Sequence, residues 1–383
     1  MKILFIIHHE LDPNAGAAGA TLKLGQEYEK LGYQVQYYSF DHLPDRLSEL
    51  TKSIVFPEFV AAHIAKLCRD QAIDVVNAST GDAWVWGRML RRFTGKHQPL
   101  LVTQSHGLEH VAHLECLAEA RQGNLPLSWK YPLYHGGFRL WEVTASLRCA
   151  DLVFMLNQRD VEYAIHPLKV APERIHRLPN GIPDTFLNLP FEPTPEPNAA
   201  IYIAQVGSYI ARKGIHYGVP ALNAILARHP NVKVSFLGTK CAEASVYEDF
   251  EPEVRDRIRV ISSFSHEDLP ILLRGHQILL FPSLSEGFPL AVPEAMACGL
   301  APVSTNIPGP TEMVVDEENA LLVPVRDSQA IENALERLIV DRHHLDSLRR
   351  NAYATAQQYS WAAIAQRQLS IYQAALERKR VKS

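Results

Sequence analysis

Cysteine is scarce in this chain and does not pair. Five thiols, at positions 68, 116, 149, 241 and 298, are spread over 383 residues. Their odd number and irregular spacing exclude a disulfide framework and predict a reducing, cytoplasmic setting. Long apolar runs are missing too. Nothing approaches the roughly 20 residues that span a bilayer, and the opening run Ile3 to Ile7 stops at His8, so it reads as a first strand rather than a leader. Strong charge of either sign is absent: the formal net charge is -4, which argues against nucleic acid as a partner. No fixed-period repeat and no low-complexity tract occurs. No two aspartates stand two residues apart. The 17 histidines are scattered, and His106, His110 and His113 lack an acidic or thiol companion, so no metal site is expected.

What the chain does contain is material for two cores. At 383 residues and 47% hydrophobic it is too long for one. Short apolar runs at Ile3–Ile7, Val35–Phe40, Ile73–Asn77, Leu100–Thr103 and Asp151–Leu156 alternate with helical stretches, the first helix being expected near Leu22–Leu31. That alternation predicts an α/β fold with parallel sheets covered on both faces. Pro179 to Asn198 holds six prolines and no periodic apolar spacing, as a linker does. A new strand, Ala200–Val206, then opens a second domain.

The residues that carry chemistry lie mainly in that second half. The run Gln277–Phe281 reads as a buried strand, and Pro293 is expected at the first helical position before Glu294. Between them, amides around Gly287, Phe288 and Leu290, with Pro289 unable to donate, form a turn suited to a phosphate at a helix N-terminus. Glu286 is placed to accept hydrogen bonds from sugar hydroxyls and Glu294 to hold the two hydroxyls of a ribose. Upstream, the strand ending at Gly207 leads into Arg212-Lys213-Gly214, where a guanidinium fork and a point charge suit phosphate oxygens.

The string Glu286-Gly-Phe-Pro-Leu-Ala-Val-Pro-Glu294-Ala-Met-Ala-Cys-Gly299 resembles the donor-site signature of the retaining glycosyltransferases of family 4, which have the GT-B fold. One departure is Pro308 at the first position of that family's usual Gly-Gly pair. The resemblance implies two Rossmann-like domains whose parallel sheets face each other across a cleft. It implies an acceptor-side domain over 1–178, a linker over 179–199, a donor domain over 200–360 and a helix over 361–383 that crosses back. The co-substrate would be a nucleotide-diphosphate sugar, the other partner a hydroxyl acceptor. Arg212, Lys213, Glu286 and His106 would be catalytic. Gly16, Gly207, Ser263, Phe264, Gly287, Phe288, Pro289, Leu290 and Glu294 would bind the donor, with its base against main chain near Ser263 and Phe264. Glycosyltransferases of the other common fold hold a cation with Asp-x-Asp. Its absence here implies leaving-group stabilisation by Arg212, Lys213 and helix amides, with no cofactor and no metal.

Two rival readings follow from other features. The loop Asn14 to Gly19 approaches the Gly-x-Gly-x-x-Gly of nicotinamide-dependent oxidoreductases, and Asp41 ends the second strand, but Asn14 replaces the first glycine and the loop begins well after strand one. The other rival is a catalytically weak protein of the same fold that only binds nucleotide sugar. Val85, Trp86, Met89, Leu90 and Phe93 fall at helical spacing among Arg88, Arg91, Arg92 and Lys96. That pattern fits an ordinary surface helix or a peripheral contact with anionic headgroups at the inner membrane face. The sequence specifies neither the donor base nor the oligomeric state.

Overall fold

A computed structural model describes the chain apart from residues 14, 71–72, 94–97, 122, 124–125, 197–198 and 383 and the side chain of 382. Asn14, Lys96 and Asn198, named above, therefore lie outside the described residues. The chain divides into two compact units, one formed by Met1–Gly181 with Trp361–Ser383, the other by Ile182–Ser360.

Among the described residues the first unit holds six strands: β1 Lys2–Ile7, β2 Gln34–Ser39, β3 Val75–Ser79, β4 Leu100–Gln104, β5 Leu152–Met155 and β6 Ile175–Arg177. They pair in parallel in the order β2-β1-β3-β4-β5-β6. Because side chains alternate along a strand, Leu4 and Ile6 join one core with Val76, Trp86 and Leu147, while Ile3 and Phe5 join another with Val75, Val102 and Tyr372. Both faces of β1 are thus buried, which is why it reads as an unbroken apolar run. Tyr372, on the helix Trp361–Lys382, accepts a hydrogen bond from Asn77 Nδ2 at 2.7 Å and sets its ring 6.3 Å from Tyr28. The first helix spans Gly16–Lys30, six residues earlier than the sequence suggested. Its small residues are helix formers rather than loop, since three of its first five are alanine, the best of them.

The second unit holds β7 Ile201–Val206, β8 Val232–Leu237, β9 Ile258–Ile261, β10 Ile278–Phe281, β11 Ala301–Thr305 and β12 Leu321–Val323, parallel in the order β12-β11-β10-β7-β8-β9. The stretch after Gly181 packs within this unit. Buried Arg349 donates to the carbonyls of Gly299 at 2.7 Å and Glu192 at 2.9 Å and to Thr194 Oγ1 at 2.8 Å. In an open parallel sheet, ligands bind beyond the carboxyl ends of strands where the strand order reverses. That point lies between β1 and β3 in the first sheet and between β7 and β10 in the second.

Candidate active site

At the β7–β10 reversal the two loops are locked together. Gly214 has φ +72°, and a Cβ there would lie 1.9 Å from the carbonyl oxygen of Pro282, so only glycine closes this contact. Leu284 N donates to Arg212 O at 2.9 Å. This seam brings three of the expected residues into one cluster. Lys213 Nζ donates to Glu286 Oε1 at 2.6 Å, and Arg212 Nη1 lies 3.2 Å from the same oxygen and donates to Ser285 O at 3.0 Å. Burial works to raise the Glu286 carboxyl, but the charges of Lys213 and Arg212 outweigh it and hold the group below the usual range. Lys213 runs alongside Gly207, with its Nζ 5.3 Å from the Phe281 ring centroid. Arg212 remains half exposed, its side chain 51% accessible.

The helix after the turn spans Ala291–Ala297, so Pro293 is its third residue rather than its first. The first four amides of a helix have no partner within it, and proline is tolerated throughout that turn. Glu294 is 2% exposed and accepts from His266 Nε2 at 2.7 Å. His266, 28 residues away in sequence, was not anticipated. Phe288 is buried with its ring 6.0 Å from that of Tyr359. Pro289 is buried and Leu290 half-buried beside it. Gly309, the retained glycine of the pair that Pro308 interrupts, lies against the carbonyls of Glu286 and Gly287. Beyond β9, Ser263 is exposed and the Phe264 ring packs on Gly238.

Gly16 and His106 belong to the first unit. Gly16 is exposed at the start of its helix with open space where a side chain would be. His106 is half-buried with an unpartnered Nδ1, and its pKa falls to about 4 through burial and the neighbouring His8 and His9. The three spaced histidines part company: His110 meets Thr144 Oγ1 at 3.1 Å and His113 meets Tyr131 Oη at 3.1 Å. The sequence missed the group at the β1–β3 reversal. His8 Nδ1 lies 2.8 Å from Asp82 Oδ1, and Arg139 stands among Asp82, Glu109 and Glu142.

Residues 85–93 do not form the expected α-helix. Trp86–Leu90 is a wide π-turn and Arg91–Phe93 a 3₁₀ turn. Trp86 is fully buried, and Arg91 pairs with Asp151. Arg88, Met89, Leu90, Arg92 and Phe93 are exposed. Among the described residues no helix is long and apolar enough to cross a membrane.

Known proteins share this construction. The family model for glycosyl transferases group 1 matches residues 190–355, and that for glycosyltransferase family 4 matches residues 15–186. The UDP-Gal:alpha-D-GlcNAc-diphosphoundecaprenol alpha-1,3-galactosyltransferase of Escherichia coli is 23% identical over 293 residues, covering 72% of this chain and 69% of that protein. Among solved structures, sucrose-phosphate synthase from Thermosynechococcus elongatus superposes with a TM-score of 0.75 at 22% identity, covering 97% of this chain and 98% of its own. Anabaena HepE in complex with UDP-glucose gives 0.70 at 18% identity, covering 98% and 100%. Two six-stranded parallel sheets, the donor-loop string and these matches agree: the chain belongs to glycosyltransferase family 4 and is a glycosyltransferase of GT-B fold.

Proposed function

We propose that this enzyme moves a sugar, with retention of configuration and without a metal ion, from a nucleotide-diphosphate sugar to a hydroxyl acceptor in glycoconjugate synthesis. The observation that carries the reading is the grip of Arg212 and Lys213 on Glu286 at the β7–β10 reversal. Two cations fixed beside one carboxylate are preorganised for the charge that develops on a departing diphosphate. The acceptor oxygen bonds to the anomeric carbon on the face from which the phosphate oxygen leaves with the bonding electrons. The acceptor's proton passes to that phosphate oxygen. Glu286 holds hydroxyls of the donor sugar, Glu294 holds the ribose, and amides near Gly287, Phe288 and Leu290 reach the phosphates. Gly207 leaves room for the diphosphate, and Ser263 and Phe264 flank the base.

The Escherichia coli relative uses UDP-Gal by its name and the HepE structure holds UDP-glucose, so UDP-sugars are the first donors to test. Products formed in excess EDTA and followed by NMR should carry the donor's anomeric configuration. Inverted product, or turnover restored only by magnesium, overturns the corresponding half of the reading.

Exposed Met89 and Phe93, at 52% and 72%, beside Arg88 and Arg92 favour a peripheral membrane contact as a second reading. Anionic vesicles should bind the chain in a salt-sensitive way, and Arg88→Ser with Arg92→Ser should abolish it. Arg91 is left intact in this test because its pairing with Asp151 is structural.

A further inference from the structure

A cavity of about 460 Å³ opens at the amino ends of β7, β8 and β9, at the far end of the second sheet from the donor loops. It lies wholly in the second unit. Parallel sheets are ordinarily buried on both faces, yet here one face is polar. In the strand register Tyr202 pairs with Lys233 and Ser235 with Arg259, and because alternate residues share a face, all four stand on the same side of the sheet. Their neighbours Ile203, Val234, Ile258 and Val260 turn to the opposite side and join the core. Lys233 and Arg259 are therefore exposed on strands whose other face is fully packed.

Four cations, Lys233, Arg257, Arg259 and Arg274, line this cavity against a single carboxylate, Asp256. That carboxylate does little to neutralise them, since its side chain is 82% exposed and comes no nearer to Arg257 than 4.0 Å. Arg274 Nε donates to Glu192 at 3.0 Å, a solvent-exposed pair that water and salt screen. Among the described residues Lys233 and Arg259 have no acidic partner. The excess is local, because the chain as a whole carries a formal charge of -4. The groups around these cations are fixed. Arg257 Nη1 donates to His229 O at 2.9 Å, and Lys233 Nζ stands 5.6 Å from the centroid of the Tyr202 ring. The loop behind is stitched to β7 and β8: Tyr202 N donates to Gln277 Oε1 at 2.9 Å, Gln277 Nε2 donates to Gly275 O at 2.6 Å, and buried His276 meets Ser235 Oγ at 2.9 Å. Guanidinium forks and an ammonium point charge held around a polar floor are the chemistry that takes phosphoryl oxygens. The volume suits a small molecule rather than a polymer.

We propose that this cavity is a second anion site, separate from the donor cluster, which binds the phosphoryl group of a small phosphate monoester through Lys233 and Arg259, with Arg257 and Arg274 flanking it. The binding does not depend on the glycosyltransferase reading. Titration calorimetry of the full chain tests it, with glucose 6-phosphate and inorganic phosphate as probes and glucose as the control. Both phosphates should bind and glucose should not, and added salt should weaken the binding. Lys233→Met with Arg259→Met keeps the apolar stems and removes the charges. Affinity for glucose 6-phosphate should fall 10- to 100-fold in that double variant, the scale of a lost hydrogen bond to a charged group. Its melting temperature should hold, because neither side chain has an acidic partner to lose, and its affinity for UDP should be unchanged. Arg212→Ala with Lys213→Ala should leave the phosphate binding intact. Vesicles containing phosphatidic acid form a further arm: capture that is lost in the Lys233 and Arg259 double variant would identify the monoester as a lipid headgroup, and no capture would identify it as a free molecule. No heat from either phosphate at millimolar concentration, full affinity in the Lys233 and Arg259 double variant, equal binding of glucose, or loss of binding in the Arg212 and Lys213 double variant overturns the proposal. Phosphate binding that follows Lys233 and Arg259 in a chain that does not bind UDP would instead strike the donor reading and leave this one standing.

Discussion

At the β7–β10 reversal two cations surround one carboxylate, whereas at the β1–β3 reversal three carboxylates surround one cation. The backbone geometry is alike: parallel strands, a loop at each carboxyl end, and a positive-φ glycine, Gly214 or Gly81, that admits a close contact. The difference lies in side-chain charge alone. A cluster with spare positive charge suits an anion such as a diphosphate, whereas one crowded with carboxyl groups does not.

The comparison breaks most readily on the cationic side. Lys213→Ala should lower kcat by roughly 10²–10³, about 2.7–4 kcal/mol, the scale seen when a preorganised donor to developing charge is removed. Single-turnover kinetics near wild type would end the leaving-group role of Lys213. Next in size is Glu294→Ala, which removes a partner held equally in ground and transition state. UDP binding should weaken 10- to 100-fold with kcat little changed, and titration calorimetry checks it. Glu286→Gln sharpens the charge argument. Freed of their counter-ion, Lys213 and Arg212 should bind UDP several-fold tighter while kcat drops about tenfold, so that affinity and turnover move in opposite directions. Parallel losses in both would show that Glu286 merely props the loop.

The two crevices also differ in how far they can be read from sequence. The cationic one is written in two continuous strings, Gly207 to Gly214 and Glu286 to Gly299, and residue type with order carries the chemistry. Even there His266 escaped notice, because a partner 28 residues from Glu294 is defined by the fold and not by spacing. The acidic crevice draws His8, Asp82, Glu109, Arg139 and Glu142 from four separate segments. His8 and Asp82 do follow strands β1 and β3, but that these strands are neighbours depends on non-local pairing. The parallel α/β class was legible from the buried apolar runs. Helix starts were not, since Ala17 and Ala18 suit both a small-residue loop and a first turn. Residues 85–93 show the converse: helical spacing is present, yet Trp86 turns inward while Met89 and Phe93 stay exposed, and the backbone takes a π-turn.

The smallest expected effect separates the crevices by pH. Glu286 has a folded pKa below its ordinary value of 4.5, so its contribution is present above that pH and is lost on acidification. The His8–Asp82 pair behaves otherwise. With Asp82 raised to about 8 and His8 lowered to about 3, the folded pair retains one proton across the range between. Unfolded, aspartate titrates near 3.8 and histidine near 6.5. Around pH 5 both states hold one proton, and stability is flat. Between pH 6.5 and 8 the unfolded histidine has released its proton while the folded pair keeps one, so the folded state binds more and stability falls as pH rises. The loss is on the order of 1 kcal/mol over that interval. Urea unfolding followed through amide exchange in β1 and β3 measures it. Asp82→Asn should flatten this alkaline slope, and because His8 stays neutral in the folded variant but gains a proton on unfolding below about pH 6.5, stability should fall more steeply on acidification than in the wild type. An unaltered slope in that variant would mean that the first crevice holds no shared proton, and that its excess carboxylates are ionised at neutral pH.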